Sequence, residues 1–509
     1  MKKQIVINMI ANFTSFIVGF IISFFFTPFL IKTVGIEAYS FMPMTNNIVS
    51  YVTIISTAIN SMAARFITIE AYKKNNEKVN SYFNTVFFSN IFLSVLFAII
   101  FSFLIFFLDK ILQIPSDMIF NIKTLFALTF LASILTLLST VFDITTFVKN
   151  RLELRSGVAI LNSILRIVVL LLLFLFFKPN ILFVGIATLT LAVTNLLFNF
   201  AFFKKLLPEI KINQIFFDKK DLKTLLGAGI WSSISQSSSI LLTGFDLILA
   251  NMFLSPLASG NIALSKTLPT FIYGLSSVLI TAFLPNFTIL FAQEKSKELL
   301  NNVNSSLKML TLFLSIPLAG IVVFGIDFYK LWIPTENYKL IYLLTLFVLL
   351  PTLIQVFIRP LGNIYIVTNR LKAPVLFTLG LGILNIVIVL ILLNIIPQYG
   401  MYIISLTSSI LLLSEYALFT PIYSAKCLNL KKTVFFPHII KSLFSTMFMI
   451  VVFYLIRRVF IITSWKSFII IATCSTIVGL SINFVFLLNK YEKNKFIQIL
   501  IDKFKIGRN

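Results

Sequence analysis

The sequence predicts an all-α, polytopic membrane protein: about 14 transmembrane helices, as two six-helix lobes around a central cavity plus two extra C-terminal helices. Three observations carry this. Apolar runs of the ~20 residues that cross a bilayer core follow one another from Ile5 to Leu488. The chain is 58% hydrophobic and only 12% charged, with a mean hydropathy of +0.99, a composition foreign to soluble domains. Its Lys and Arg residues gather in every second gap between the runs.

The spans fall at 5–33, 40–66, 82–108, 121–147, 157–177, 180–203, 226–253, 262–290, 307–328, 340–366, 374–396, 400–423, 440–461 and 467–488. With the N-terminus inside, the inner segments hold about 27 basic residues and the outer ones about eight, the bias that orients polytopic proteins. The chain is therefore expected to be multi-pass in the cytoplasmic membrane with both termini cytoplasmic. Trp332 and Trp465 fall at outer span ends and Trp231 near an inner one, as in an interfacial belt.

The net charge of +24 does not point to nucleic acid, because no folded basic module presents it. It suits inner loops facing anionic lipid headgroups. Cys427 and Cys474 are expected to be unpaired and form no zinc site. The first apolar run is far longer than a signal-peptide core and reads as a retained span. The single histidine, His438, has no partner in view, the outer loops are short, and no phosphate-cradling loop motif occurs. A membrane glycosyltransferase or polymerase is thus disfavoured; no enzyme activity, resident cofactor or metal is expected.

A weak repeat organises the spans. At an offset of 220, Thr68-Ile69 matches Thr288-Ile289 and Asn84 matches Asn304. Each unit of six spans inserts the same way up, as in parallel repeats that enclose a midplane substrate cavity. The expected division is an N-terminal lobe 1–205, a cytoplasmic linker 206–225, a C-terminal lobe 226–425, two further spans within 426–489 and a basic tail 490–509. The linker, with Ile210, Ile212, Ile215, Phe216 and Phe217 among lysines, reads as an amphipathic surface segment, and so does the tail with Phe496, Ile499, Leu500 and Phe504.

Ionisable groups at membrane depth are functional candidates: Lys32, Asp143, Arg166, Asp246, Lys266, Arg359 and Glu415, with Arg65 near an inner end. Asp143 and Arg166 are placed toward inner ends, where snorkelling suffices. Span one carries Asn8, Asn12, Ser15, Gly19 and Ser23 at helical spacing; span seven carries Ser232, Gln236, Ser239, Thr243 and Asp246. These stripes are expected to face each other across a hydrated cleft, although helix packing through small residues accounts for the Ser and Gly equally well. Lys266 in that cleft would attract an anionic group such as a phosphate. Asp246 and Glu415 are the deep carboxylates able to take up a proton or ligate sodium, so Na+ or H+ is the expected coupling ion. Pro28, Pro269, Pro285, Pro317 and Pro360 are expected to interrupt spans one, eight, nine and ten.

The opening, a polar first span followed by FLIKTVGIEAYSFMPMTNNIVSYVTIISTAINSMAARFITI and a basic inner loop, resembles the Wzx-type polysaccharide flippases of the multidrug/oligosaccharidyl-lipid/polysaccharide exporter superfamily. The pattern P-x-L-x-x-x-x-G-x-x-x-Y stands as Pro28, Leu30, Gly35 and Tyr39. The two extra spans are like those of lipid II flippases of that superfamily. The resemblance implies alternating-access transfer of an undecaprenyl-diphosphate-linked oligosaccharide from inner to outer leaflet. Lys32, Lys266 and Arg65, with Asn12 and Gln236, are then the candidate substrate contacts, Asp246 and Glu415 the ion-coupling groups. Expected partners are the polyprenyl-diphosphate-linked oligosaccharide, membrane lipids, and polysaccharide polymerase and glycosyltransferases. A cation-coupled multidrug exporter is the alternative.

Overall fold

The structure, a computed structural model, describes residues 2–281, 283–488 and 493; the expected amphipathic tail otherwise lies outside the described residues. Fourteen long helices follow in order. They are α1 (Lys2–Val34), α2 (Ile36–Tyr72), α3 (Asn76–Phe106), α4 (Ile119–Val148), α5 (Leu152–Phe176), α6 (Leu182–Leu206), α7 (219–253), α8 (256–292), α9 (Ser296–Trp332), α10 (Tyr338–Val367), α11 (Lys372–Ile395), α12 (400–427), α13 (Phe436–Val459) and α14 (Trp465–Leu487). No strand occurs among the described residues, as expected where water cannot satisfy backbone groups.

Thirteen of these helices are long and apolar enough to cross a membrane by length and composition. The exception is α7, whose centre reads WSSISQSSS. That polar centre needs partners at membrane depth, and it finds them on α2 and α11. Ser233 Oγ donates to the Ile54 carbonyl at 2.9 Å, and Thr57 Oγ1 donates to Gln236 Oε1 at 2.6 Å. Ser238 Oγ donates to the Val375 carbonyl at 3.3 Å. The close approach requires Gly229, because a Cβ there would sit 1.8 Å from the Ala58 carbonyl oxygen.

The chain forms two compact units. The first comprises Met1–Leu264 and Lys372–Ser408, the second Ser265–Leu371 and Ser409–Asn509. Contacts therefore cluster along a different line from the connectivity division at 206–225: α7 stays with α2, held by its serines and Gly229. In the first unit, α4 packs on α6 and rings fill the core, Phe101 on Phe130 at 4.0 Å and Phe83 on Phe203 at 4.8 Å. In the second, α9 is the central helix, packed by α10, α13 and α14, with Leu310, Leu314 and Leu318 fully buried.

Helix boundaries recur at the repeat offset. Ile36 and Pro256 begin α2 and α8, and Tyr72 and Ala292 end them, 220 positions apart at both ends. The turns that follow each place a residue in the left-handed region that closes helices, Lys74 at φ 59° and Glu294 at φ 57°.

Several expectations are corrected. α1, α9 and α10 run on through Pro28, Pro317 and Pro360; neighbouring groups at membrane depth tolerate such prolines. Only α8 breaks, into Pro256–Ser265, Thr267–Thr281 and Leu284–Ala292. The first break, at Lys266, lies where Pro269 lacks the N–H that would bond back to Ser265. Arg166 is not near an inner end: α5 begins at Leu152, so the residue lies roughly 21 Å along the helix. Lys32 is exposed in the last turn of α1, where a cation complements the helix dipole. The helix α7 begins at Lys219, within the expected linker, and the segment before it is pinned to α3: Asn84 Nδ2 donates to the Lys211 carbonyl at 2.8 Å and Asn213 N donates to Asn84 Oδ1 at 2.9 Å.

Candidate functional site

A cavity of the first unit and a groove of the second differ in chemistry. In the first unit, the middles of α2, α4 and α6 enclose about 540 Å³. Thr53, Thr57 and Asn60 of α2, Ser133 and Thr136 of α4, and Asn195 of α6 are among its walls. No Asp, Glu, Lys, Arg or His is among the described lining residues. Beside it, Asn60 and the fully buried Asn90 exchange amide hydrogen bonds at 2.9 and 3.1 Å. Such polar groups at membrane depth face a cavity or a partner helix, never lipid, because lipid offers no hydrogen bonds.

Gln236, a predicted substrate contact, reaches this wall through Thr57. Asn12 does not: it accepts a bond from Ser156 Oγ of α5 at 2.6 Å. Nearby, Asn8 Nδ2 donates to Asn150 Oδ1 at 3.1 Å. The start of the α1 stripe therefore turns to α5 and the turn before it rather than to α7. On α7, Gln236 of the predicted stripe meets α2 and Ser239 is exposed, while the bonds to the Ile54 and Val375 carbonyls come from Ser233 and Ser238 beside the stripe. Arg65 is exposed on α2. Gly35, with φ 84°, makes the turn between α1 and α2 that the matched pattern requires, and Leu30 and Tyr39 are buried on either side.

Asp246 is 1% exposed and follows a π-turn over Ile240–Gly244. The turn releases the Gly244 carbonyl, which accepts from Tyr51 Oη at 2.6 Å and Asn47 Nδ2 at 3.0 Å. Tyr51 also stacks on Phe245 at 4.7 Å. Also in this unit, Arg166 lies 5.8 Å from the centre of the Phe26 ring.

In the second unit, α8, α9, α13 and α14 form an apolar groove of about 390 Å³, lined by Leu268, Phe313, Gly320, Phe324, Phe453 and Leu480 among others. The two C-terminal helices are fastened by polar contacts. Asn483 Nδ2 donates to the Leu312 carbonyl at 3.0 Å and to Ser315 Oγ at 2.7 Å, while Ser445 Oγ donates to Asn483 Oδ1 at 2.7 Å. Arg457 Nε pairs with Asp327 at 2.7 Å.

Glu415, 9% exposed, also sits at a π-turn, Glu415–Phe419; π-turns of this kind recur at functional sites. Beside it Gln355 Nε2 donates to Tyr416 Oη at 2.7 Å. Arg359 lies 4.0 Å over the Tyr273 ring and donates to Ser276 Oγ at 3.1 Å. Lys266 is half-buried at the break in α8. The structure thus does not gather Lys32, Arg65 and Lys266 into one cationic cluster within either unit. No group of His, Cys, Asp and Glu suited to a metal ion occurs among the described residues. Outside the spans, Lys123 lies 2.7 Å from Asp109 and holds that carboxyl below the usual carboxylate range.

Sequence reasoning passed over the cavity wall on α4. Thr129, Ser133, Thr136 and Thr140 recur at steps of four, three and four, one helical face of hydroxyls that could have been found.

No family model matches the chain. It is 29% identical over 500 residues to the "Uncharacterized membrane protein EpsK" of Bacillus subtilis (strain 168), spanning 98% of each chain. Its fold is that of solved transporters and flippases. The "Lipid II flippase MurJ, inward closed conformation" aligns with a TM-score of 0.66 at 15% identity, over 95% of this chain and 100% of that one. A multidrug resistance MATE family transporter of the MOP superfamily, in its inward-facing conformation, aligns with a TM-score of 0.61 at 13% identity, over 83% of this chain and 99% of that one. The MATE multidrug transporter DinF-BH aligns with a TM-score of 0.61 at 16% identity, over 84% of this chain and 96% of that one. The chain is thus a polytopic all-α membrane protein that shares the fold of these solved structures.

Proposed function

We propose that this protein is a flippase that moves an undecaprenyl-diphosphate-linked oligosaccharide from the inner to the outer leaflet of the cytoplasmic membrane, by ion-gradient-coupled alternating access, for cell-surface polysaccharide synthesis. The observation that carries the reading is the apolar groove of the second unit. A lipid-linked substrate keeps a hydrocarbon chain beside the protein while its head crosses, and an apolar groove can hold that chain by van der Waals packing at membrane depth. The groove is built by α13 and α14 against α9. The share of the chain left unmatched by the two MATE structures, 16–17%, is about the size of 426–509, the segment that holds those helices.

In this reading the lobes are 1–205 and 226–425, and both termini are cytoplasmic. Lys266 and Arg359 are the candidate contacts for the diphosphate, with Lys32 and Arg65 at helix ends on its path. Asp246 and Glu415 couple transport to Na+ or H+. Polymerase and glycosyltransferases are the partners that consume and supply the substrate.

The test is leaflet-resolved translocation of a lipid-linked oligosaccharide in proteoliposomes, with and without ion gradients. Gradient-stimulated transfer is expected. A second reading, a cation-coupled multidrug exporter, is favoured by the buried Asp246 and Glu415; failure with every glycan-lipid alongside export of a cationic dye would establish it instead.

A further inference from the structure

We infer that the polar cavity of the first unit is a binding site for the uncharged sugar residues of the substrate, separate from any site for its diphosphate. The inference rests on the flippase reading and assigns one part of the substrate to one cavity. Its volume of about 540 Å³ lies in the ~300–1,000 Å³ range of small-ligand pockets.

The hydrogen-bonding state of the wall selects the ligand. Thr136 Oγ1 donates to the Ala132 carbonyl at 2.8 Å, Thr188 Oγ1 to Val184 at 2.7 Å, and Ser133 Oγ to Phe130 at 2.7 Å. Each hydroxyl spends its one proton on its own helix and turns its lone pairs outward. The wall therefore offers mainly acceptors. A phosphate, which is acceptor-only, would meet oxygen with oxygen, and no cation among the described lining residues offsets this. An organic cation would find no carboxylate there. A sugar supplies what the wall lacks, several O–H donors.

The donors a sugar's own oxygens need come from amides. Asn195 Oδ1 accepts from Asn162 Nδ2 at 2.8 Å. That bond fixes the Asn195 amide so that its NH2 is the group offered to the cavity it lines. A mixed, uncharged wall of this kind at membrane depth complements a neutral polyhydroxyl ligand and discriminates against both ends of the charge scale.

The test uses the full chain in lipid nanodiscs. Affinities are measured for undecaprenyl diphosphate carrying a neutral trisaccharide, for bare undecaprenyl diphosphate, and for tetraphenylphosphonium. The double variant Thr136→Val/Thr188→Val is compared with the unaltered protein and with Thr136→Ser/Thr188→Ser. Removing the two acceptors should weaken the glycosylated lipid about tenfold, leave the bare lipid unchanged, and be rescued by the Ser pair. Unchanged bare-lipid affinity also certifies that the Val variant is folded. Equal loss for both lipids, no loss for either, or a selective loss for the cation would each overturn the inference while the flippase reading stood. Failure of the unaltered protein to bind either lipid would sink the flippase reading itself, and the inference with it.

Discussion

The cavity of the first unit and the groove of the second are similar in size and opposite in chemistry. One is walled by hydroxyls and amides, the other by Phe, Leu and Ile. One helix of each, α4 for the cavity and α9 for the groove, is apolar enough to cross a membrane, yet α4 lends Thr129–Thr140 and α9 lends Phe313–Phe328. What separates these two is which residues share a face.

The sharpest break in the comparison comes from two glycines. Gly229→Val drives a side chain into the Ala58 carbonyl behind the polar cavity and should destabilise by about 3 kcal/mol. Gly320→Ala lines the groove, where a Cβ meets nothing within 4 Å, and should leave stability unchanged. Thermal unfolding in detergent, followed by size-exclusion, distinguishes them, and equal losses would deny that α7 is the tightly seated helix.

Next in size is Asn483→Leu, which removes three buried hydrogen bonds between α14, α9 and α13 and should cost about 1–2 kcal/mol, given the modest value of each such bond within a membrane. Filling the groove tests it directly. Gly320→Phe should lower translocation of the lipid-linked substrate about tenfold with little change in melting temperature, an activation cost of about 1.4 kcal/mol. Unaltered translocation would remove the groove from the pathway.

Asp246→Asn should abolish stimulation by the ion gradient, a change of about fivefold or more in coupled rate, while uncoupled binding persists; unchanged stimulation removes Asp246 from the coupling role. The smallest effect is expected for Thr57→Val. It deletes one bond to Gln236 and should lower stability by about 0.6 kcal/mol, visible only as a small melting shift.

Much of this arrangement was readable from particular residues. The spans, their alternating basic gaps and the offset of 220 anticipated helices whose ends recur at Ile36 and Pro256. The polar character of α7 was plain, and Gln236 does reach a polar wall. Other positions are not fixed by local pattern. Arg166 is expected toward an inner end, yet it lies nine residues into the predicted span 157–177, and the helix begins earlier still, at Leu152. The polar face of α1 is expected to look toward α7, yet Asn8 and Asn12 turn to Asn150 and Ser156. Periodicity says that a face is polar; it does not say which helix meets it.

What the sequence determined alone is the class of molecule. Hydrophobic length sets the number of crossings, and basic loops set their expected orientation, since both are sums over local residues. Tertiary structure alone decided that α7 stays with α2 and α11, that Asp246 and Glu415 each sit at a π-turn, and that hydroxyls from three helices close one cavity. Those depend on pairings between residues as far apart in the chain as Thr57 and Gln236, whose energies are small singly and become decisive only when the helices are in register.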